Sequence, residues 1–255
     1  MTELSLFNVP VSTGKYDYFI ETILRKSISS EGSYVCLMNV HMLVQAYKDY
    51  NFKQVLQNAD IVTPDGQPIV WALRVLNKVR QDRVSGMDLL PDLLQQFMLR
   101  GMSVFFYGGS ERLLDETKSF LKQKYPSLRI AGFISPPFRA LSKNEQSEIV
   151  RVINNSKPNV VFVILGCPKQ ENWMAKMKSE INATMIGIGG ALPVMVGVQR
   201  RAPIWMQKYG LEWFFRLSQE PFRLFKRYAV TNAIFIYLLT KEILMKNLNG
   251  YLRQL

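Results

Sequence analysis

The sequence predicts an α/β fold, in which a mostly parallel β-sheet carries helices on both faces and a basic helical appendage follows at the C-terminus. Short apolar runs alternate with amphipathic stretches, which is the pattern of a parallel sheet that is buried on both sides. Gly- or Asn-rich turns follow several of these runs. The composition changes near Arg200, where arginines and aromatic residues become dense. We therefore predict a core at residues 1–199 and an appendage at residues 200–255.

The predicted strands and helices follow this alternation along the chain. We expect strands at 34–39, 59–63, 103–107, 129–133, 160–165 and 184–188. We expect helices at 42–56, 68–75, 89–99, 144–155 and 169–181, one that ends at Lys124, and one from Pro221 toward Lys246. Parallel sheets bind ligands at the carboxyl ends of their strands, so the turns that follow these strands should form one site.

Net charge and cysteine content limit the functions open to this chain. The 255 residues carry a net charge of +12, and residues 199–255 contribute +7 of it through ten Lys/Arg and three Glu. Such a charge indicates an anionic partner, which could be nucleic acid, anionic lipid or a phosphorylated substrate. Two cysteines, Cys36 and Cys167, and a single histidine predict free thiols and no zinc site.

The sequence also predicts where the protein resides. Its N-terminus has neither the basic nor the apolar segment of a signal peptide. The uncharged apolar run 228–240 near the C-terminus has thirteen residues, whereas a membrane-spanning helix needs about 20. We therefore expect a cytoplasmic protein that is at most peripheral to a membrane.

Two charged side chains follow the second predicted strand. Asp65 lies in the rigid segment TPDGQP, where a general base could be held at a strand end, although an Asx-turn or a helix N-cap would use the same residue. Arg83 lies in a later loop, either as a solvated charge or as a group that grips a diphosphate.

Several turns carry candidate substrate-binding residues. Gly108 and Gly109 come between a strand and a helix, where phosphate can approach backbone N–H groups, but a tight turn without a ligand fits equally well. The chain contains neither GxGxxG nor GxxxxGK[ST], which argues against a dinucleotide dehydrogenase and a P-loop NTPase. Similar candidates occur at the other strand ends: Asn39, Lys169, Gln170, Gly189 and Gly190.

The appendage combines cations with aromatic residues. Arg223, Lys226 and Arg227 occupy the first turns of the helix that Pro221 begins, where they oppose the helix dipole unless an anion lies nearby. The aromatic residues fit a membrane-interface belt: Trp205, Trp213, Phe214, Phe215, Phe222 and Phe225. The alternative is a helix packed on the core with a basic outer face.

Six strings in order along the chain resemble one family. They are NVHM at 39–42, TPDGQP at 63–68, SGMDLLP at 85–91, FFYGG at 105–109, GCPKQENW at 166–173, and GIGG…RRAPIW…GLEWFFRL…EPFRLFKRY within 187–228. Together they resemble the WecG/TagA/CpsF glycosyltransferases (glycosyltransferase family 26) over about 190 residues.

The resemblance implies a Rossmann-like core and a bacterial, inverting, metal-independent glycosyltransferase that uses no cofactor. Such an enzyme moves a sugar (N-acetylmannosamine, its uronic acid, glucose or another hexose) from a UDP-sugar to a polyprenyl-diphosphate-linked sugar in cell-surface polysaccharide synthesis. It would work at the inner face of the plasma membrane, with both substrates and an anionic membrane surface as partners and no nucleic acid. Self-association through the core stays open.

The resemblance also implies roles for individual residues. Asp65 matches the proposed base, Arg83 and Gln170 match polar positions near the donor or acceptor, and the appendage arginines Arg216, Arg223 and Arg227 should reach the diphosphate. Two sites depart from the family pattern: Leu192-Pro193 after the GIGG turn and Leu37-Met38 before Asn39. Either departure would bear on sugar specificity.

Two other classes of function remain from the residues alone. One is a non-catalytic or oxidoreductase Rossmann-like domain that binds a nucleotide at the membrane periphery, which the missing GxGxxG disfavours. The other, indicated by charge alone, is a peripheral membrane or nucleic-acid-binding module.

Overall fold

The computed structural model describes residues 2–29 and 31–252. Its strands are β1 (Thr2–Leu6), β2 (Val9–Thr13), β3 (Ser33–Met38), β4 (Ile61–Pro64), β5 (Ser103–Gly108), β6 (Arg129–Ile134), β7 (Val160–Ile164) and β8 (Thr184–Gly187). Its helices are α1 (Tyr16–Ile28), α2 (Val40–Lys48), α3 (Tyr50–Gln57), α4 (Gln67–Asn77), α5 (Gly86–Leu99), α6 (Glu111–Lys124), α7 (Lys143–Asn155), α8 (Lys169–Met177), α9 (Ala191–Met195), α10 (Ile204–Lys208), α11 (Glu212–Gln219) and α12 (Pro221–Leu252).

The predicted parallel sheet is confirmed. Six strands pair in the order β4-β3-β8-β7-β5-β6, and every pairing between neighbours is parallel. All residues of β3, β4, β7 and β8 are buried, because these strands lie inside the sheet or under the N-terminal hairpin and read as continuous apolar runs. The edge strand β6 is only partly covered.

Helices cover both faces of the sheet, as predicted. One apolar cluster joins the sheet to the hairpin and to α2, α3, α4, α8 and α12. A second cluster joins the opposite face to α1, α5, α6 and α9. The protein therefore has the Rossmann-like, three-layer arrangement in which the carboxyl ends of the strands form one open edge.

The local structure differs from the sequence-based expectation in three places. The expected helix at 42–56 is two helices, because the Asp49 side chain accepts hydrogen bonds from the backbone N–H groups of Asn51 and Phe52 and so starts α3. The expected helix at 169–181 ends earlier, at Met177. The antiparallel hairpin β1–β2 and helix α1 were not predicted.

The inner face of α12 attaches the appendage to the core. Leu224, Phe235 and Leu238 are buried on this face, and α12 packs against α2 and α4. The Phe235 ring meets the edge of the Phe7 ring in the hairpin turn, with 6.0 Å between ring centroids. Near its far end, Lys246 donates from Nζ to the Leu76 backbone carbonyl at 2.6 Å.

The outer face of α12 combines many exposed apolar side chains with the exposed cations Arg223, Lys226 and Lys241. The most exposed of the apolar residues are Phe222, Phe225, Ile236, Tyr237, Leu244 and Leu248, each more than 60 % exposed. Soluble proteins rarely leave a continuous apolar strip uncovered. Of the predicted aromatic belt, Trp205 and Phe214 are also exposed, whereas Trp213 and Phe215 are partly buried and Trp213 meets the Tyr228 ring edge-on at 5.8 Å.

The length of α12 corrects the prediction that no apolar segment of the appendage is long enough to span a membrane. The segment Pro221–Leu248 has 28 residues and is long and apolar enough to cross a membrane by length and composition, because scattered polar residues do not interrupt the helix. Its apolar window is 17 % buried against the protein.

Candidate active site

The carboxyl ends of neighbouring strands bring the predicted residues to one edge of the sheet. Asp65 follows β4, Asn39 follows β3, and Gly189 and Gly190 follow β8. Since these three strands are consecutive in the order β4-β3-β8, their end turns are neighbours. The turns after β7 and β5, which carry Gly166 and Gly108–Gly109, continue the same edge.

Asp65 is held by the backbone and does not act as a helix cap. Its N–H donates to the Met38 carbonyl at 2.9 Å and to the Thr63 carbonyl at 3.0 Å, and the following Gly66 has a φ of 110°, which favours glycine. The cap position of α4 belongs to Gly66, without a side-chain hydrogen bond. The interpretation of Asp65 as an N-cap is therefore wrong, and its carboxyl group is left for the crevice.

The surroundings of Asp65 favour a proton acceptor that works near neutral pH. Burial raises the pKa of its carboxyl group to about 7, and the negative charge of Glu212 adds to the rise. The charges of Arg216 and Arg83 and a hydrogen bond with Ser85 oppose it. General bases in enzymes are commonly tuned to this range.

Backbone contacts place the Arg83 loop beside Asp65. Val84 donates its N–H to the Pro64 carbonyl at 3.1 Å, and the Thr63 hydroxyl donates to the Val84 carbonyl at 3.1 Å. Ser85 then caps α5 by accepting from the Met87 N–H at 3.3 Å. Val84 is thereby fixed against the end of β4, between Arg83 and the cap of α5.

Arg83 is paired with two carboxylates. Its Nη2 lies 2.8 Å from Asp88 Oδ2 in the first turn of α5, and its Nη1 lies 2.5 Å from Glu212 Oε2 at the start of α11. Asp88 also pairs with Arg201, near the start of the appendage. A chain of alternating charges, Arg201–Asp88–Arg83–Glu212, therefore joins the appendage to the core.

The three appendage arginines cluster at the same edge. Arg216 donates from Nη2 to the Gly190 carbonyl at 3.1 Å, and Arg223 pairs with Glu220 on the helix surface. Burial lowers the pKa of Arg227, and the charges of Arg223 and Arg216 lower it further, so the three guanidinium groups repel one another. The buried Arg227 Nε has no hydrogen-bond partner within the described part of the chain. Such a cluster of cations is suited to a bound anion.

His41 borders this cluster and is neutral. Burial and the charge of Arg227 lower its pKa to about 4. Its buried Nδ1 has no hydrogen-bond partner among the described residues. A neutral imidazole adds no charge to the anion site.

Four of the predicted binding residues have groups that are already engaged within the protein. Gly109 donates its N–H to the Ile164 carbonyl at 2.9 Å, and Gly108 packs so closely on Ile164 that a Cβ would lie 2.6 Å from its carbonyl oxygen. Asn39 Oδ1 accepts from the Met42 N–H at 3.1 Å, which leaves its Nδ2 for a ligand. The buried Gln170 accepts from the Gly166 N–H at 3.1 Å.

These contacts change what those residues can do. The glycine pair after β5 has a packing explanation, because the Gly109 amide is not available to phosphate. Gln170 also donates to Glu171 Oε1 at 2.7 Å and packs under Gly189, so it shapes the turns instead of projecting into the crevice. Lys169, by contrast, is exposed at the first turn of α8. At the two departures from the family pattern, Leu37, Met38 and Leu192 are buried, and Pro193 is partly buried.

We did not select Glu212, Asp88 or Arg201 from the sequence, although all three lie within the strings that carry the family resemblance. Each is a charged residue near the start of a helix or within a basic stretch, which is where solvated charges are common. Glu212 and Arg83 are separated by 129 positions, so only the fold brings them together. Within residues 2–29 and 31–252, no group of three or more His, Cys, Asp or Glu side chains is arranged to hold a metal ion.

Comparison with known proteins identifies the family. The model of the glycosyl transferase WecG/TagA/CpsF family matches residues 4–249, so the chain belongs to this family. It is 28 % identical over 221 residues to the N-acetylglucosaminyldiphosphoundecaprenol N-acetyl-β-D-mannosaminyltransferase of Bacillus subtilis. This alignment covers 86 % of this chain and 84 % of that protein. It is 31 % identical over 195 residues to the Bacillus spizizenii enzyme of the same name, which covers 76 % of this chain and 74 % of that protein. A Staphylococcus aureus enzyme of the same name is 26 % identical over 217 residues, with 84 % of this chain and 82 % of that protein covered.

Proposed function

We propose that this glycosyltransferase moves N-acetylmannosamine from UDP-N-acetylmannosamine to N-acetylglucosamine on a polyprenyl diphosphate. The names of the relatives supply the acceptor and the transferred sugar. The observation that carries the proposal is the position of Asp65. Its carboxyl group lies at the sheet edge with a pKa raised to about 7, beside the appendage arginines.

In the proposed reaction, the Asp65 carboxylate takes the proton of an acceptor hydroxyl as that oxygen attacks the anomeric carbon of the donor. The bond between that carbon and the β-phosphate oxygen breaks, and UDP leaves with the bonding electrons. One in-line displacement inverts the anomeric centre, so no covalent sugar–enzyme intermediate is needed. Inversion of an α-linked donor would give the β-linkage that the names of the relatives carry.

The diphosphate charge is met by side chains in this proposal. Arg216, Arg223 and Arg227 form a cluster of repelling cations at the open edge, and an anion would relieve that repulsion. We therefore propose a reaction that needs no metal ion. The exposed Lys169 and the Asn39 amide Nδ2 are the remaining polar groups that we assign to substrate contacts.

The experiment is UDP release from a panel of UDP-sugars, with a polyprenyl-diphosphate-N-acetylglucosamine acceptor and EDTA present. We expect release only with UDP-N-acetylmannosamine and only with acceptor. Release that requires added Mg²⁺ would contradict the metal-free assignment, and release with another donor would contradict the sugar. If folded protein on lipid released no UDP from any donor, with or without acceptor and with Mg²⁺ added, a non-catalytic nucleotide-binding protein would be favoured.

We also propose that residues 200–255 form a membrane-associating appendage that binds the inner face of the plasma membrane peripherally. The uncovered apolar face of α12 and the cations beside it support this. Replacing Phe222 and Phe225 with Ser should release the protein from anionic liposomes in a flotation assay. Phe138→Ser is the matched control, since Phe138 is 91 % exposed on the core loop after β6. Equal loss in both variants would contradict the assignment.

A further inference from the structure

The appendage contributes an acidic residue to the edge where its arginines cluster. Glu212 begins α11, and its side chain is 19 % exposed. One carboxylate oxygen, Oε2, pairs with Arg83. The other, Oε1, is buried without a hydrogen-bond partner among the described residues. A buried carboxylate oxygen that is left unpaired is costly, so its presence requires an explanation.

Arg83 fixes the position of this carboxylate. The guanidinium is itself immobilised, because Asp88 holds Nη2 from the opposite side and the backbone of Val84 is bonded to the end of β4. Glu212 is therefore held next to the strand end that carries Asp65. The charged groups that act on Asp65 are Glu212 and Arg216 from α11 and Arg83 from the loop before α5.

We propose that Glu212 is a positioning residue for the base: the appendage brings its negative charge to Asp65, and Arg83 holds it there. The catalytic meaning of this inference rests on the proposed function, whereas the electrostatic coupling does not.

The arrangement makes the proton affinity of Asp65 depend on Glu212, whose charge opposes those of Arg216 and Arg83. Without Glu212, only the positive charges of Arg216 and Arg83 would act on Asp65, and both favour the ionised carboxylate. An ionised carboxylate that is strongly stabilised is a weak base. With Glu212 in place, the charge of Arg83 is directed to two other carboxylates, and Asp65 retains its affinity for a proton.

The test follows the titration of Asp65 directly in the full-length protein. Aspartate carrying ¹³C at Cγ is incorporated, and the Asp65 signal is assigned by its loss in Asp65→Asn. We expect a midpoint near 7 in the unaltered protein and a downward shift of about one pH unit in Glu212→Gln, which is the usual size of a neighbouring-charge effect. Glu212→Asp keeps the charge and should restore most of the midpoint.

Asp88→Asn is the matched control. It removes one negative charge from the same guanidinium and also breaks the pair with Arg201, yet it leaves Glu212 in place. Its shift should be clearly smaller than that of Glu212→Gln. An unchanged midpoint in Glu212→Gln, or an equal shift in Asp88→Asn, would overturn the inference. Because this readout needs no substrate, a shifted midpoint without any sugar transfer would refute the proposed function alone.

Discussion

Replacement of Asp65 by Asn should abolish sugar transfer and at the same time stabilise the folded protein at alkaline pH. The reason is the raised pKa of this carboxyl group, from 3.8 to about 7. Between these two values the folded protein holds a proton that the unfolded chain has lost, so stability falls as the pH rises. Above about 7 the full cost of a buried carboxylate is present. Asn keeps the shape and cannot ionise.

The size of the effect follows from the shift. About three pKa units at roughly 1.4 kcal/mol each give an upper limit of about 4 kcal/mol, and about 1.5 kcal/mol of this is already present at pH 5. The stability advantage of Asp65→Asn over the unaltered protein should therefore grow by about 1–3 kcal/mol between pH 5 and pH 8.5. The lower end of this range applies because the Asp65 side chain is partly accessible to solvent, which reduces the cost of its charge.

Urea unfolding of both proteins at these two pH values measures the change. Asp60→Asn is a control that should lose about the same stability at both pH values, because Asp60 is ionised in the folded and unfolded protein throughout this range. Burial works against the Asp60 charge, but hydrogen bonds from Lys26 and Lys178 outweigh it and lower its pKa, so its carboxylate stabilises the fold above the unfolded pKa. If the advantage of Asp65→Asn did not change with pH, the carboxyl group would not be a buried, tuned acid. If the variant still transferred sugar, Asp65 would not be the base.

Three further substitutions test other parts of the structure. Gly190→Ala places a Cβ 2.8 Å from Arg216 Nη2, the flexible end of that side chain, so UDP release should fall about tenfold or more while the urea midpoint is kept. Gly108 has a φ of 107°, and in Gly108→Ala the new Cβ would lie 2.6 Å from the Ile164 carbonyl oxygen. Urea unfolding should therefore show a loss of about 2 kcal/mol or more in the free energy of unfolding, and a neutral effect would contradict the packing explanation. Burial raises the pKa of Glu171 to about 7, so Glu171→Gln should gain stability relative to the unaltered protein as the pH rises from 5 to 8.5, and a constant difference in urea midpoints would refute this.

The parallel sheet was predictable because each strand is marked by a short segment of consecutive residues. Strands β3, β7 and β8 are short apolar runs that end in Gly or Asn, and burial on both faces leaves no polar alternation to obscure them. The hairpin carried no such signal. Its turn residues are Phe7 and Asn8, with φ values of 53° and 62°, whereas the usual sequence for this turn contains glycine.

The site was predictable only in part, for a similar reason. Asp65 and Gly190 directly follow strands, so their place at the sheet edge follows from topology. The partners of Asp65 do not, because Arg83 and Glu212 are far apart in sequence and each resembles an ordinary surface charge. At the Gly108–Gly109 turn the sequence pattern misleads. It suggests a phosphate-binding loop, whereas the contact between β5 and β7 already accounts for both glycines.

The uncovered face of α12 has a kinetic consequence for an enzyme held on a bilayer by it. Phe222 and Phe225 lie in the same first two turns of α12 as Arg223 and Arg227, so the depth of the apolar side chains would set the height of the guanidinium groups above the hydrocarbon. A lipid-linked acceptor could then reach the site by diffusing laterally, without leaving the bilayer. Its encounter rate would follow the mole fraction of acceptor in the lipid, and added inert phospholipid would slow transfer at constant total acceptor.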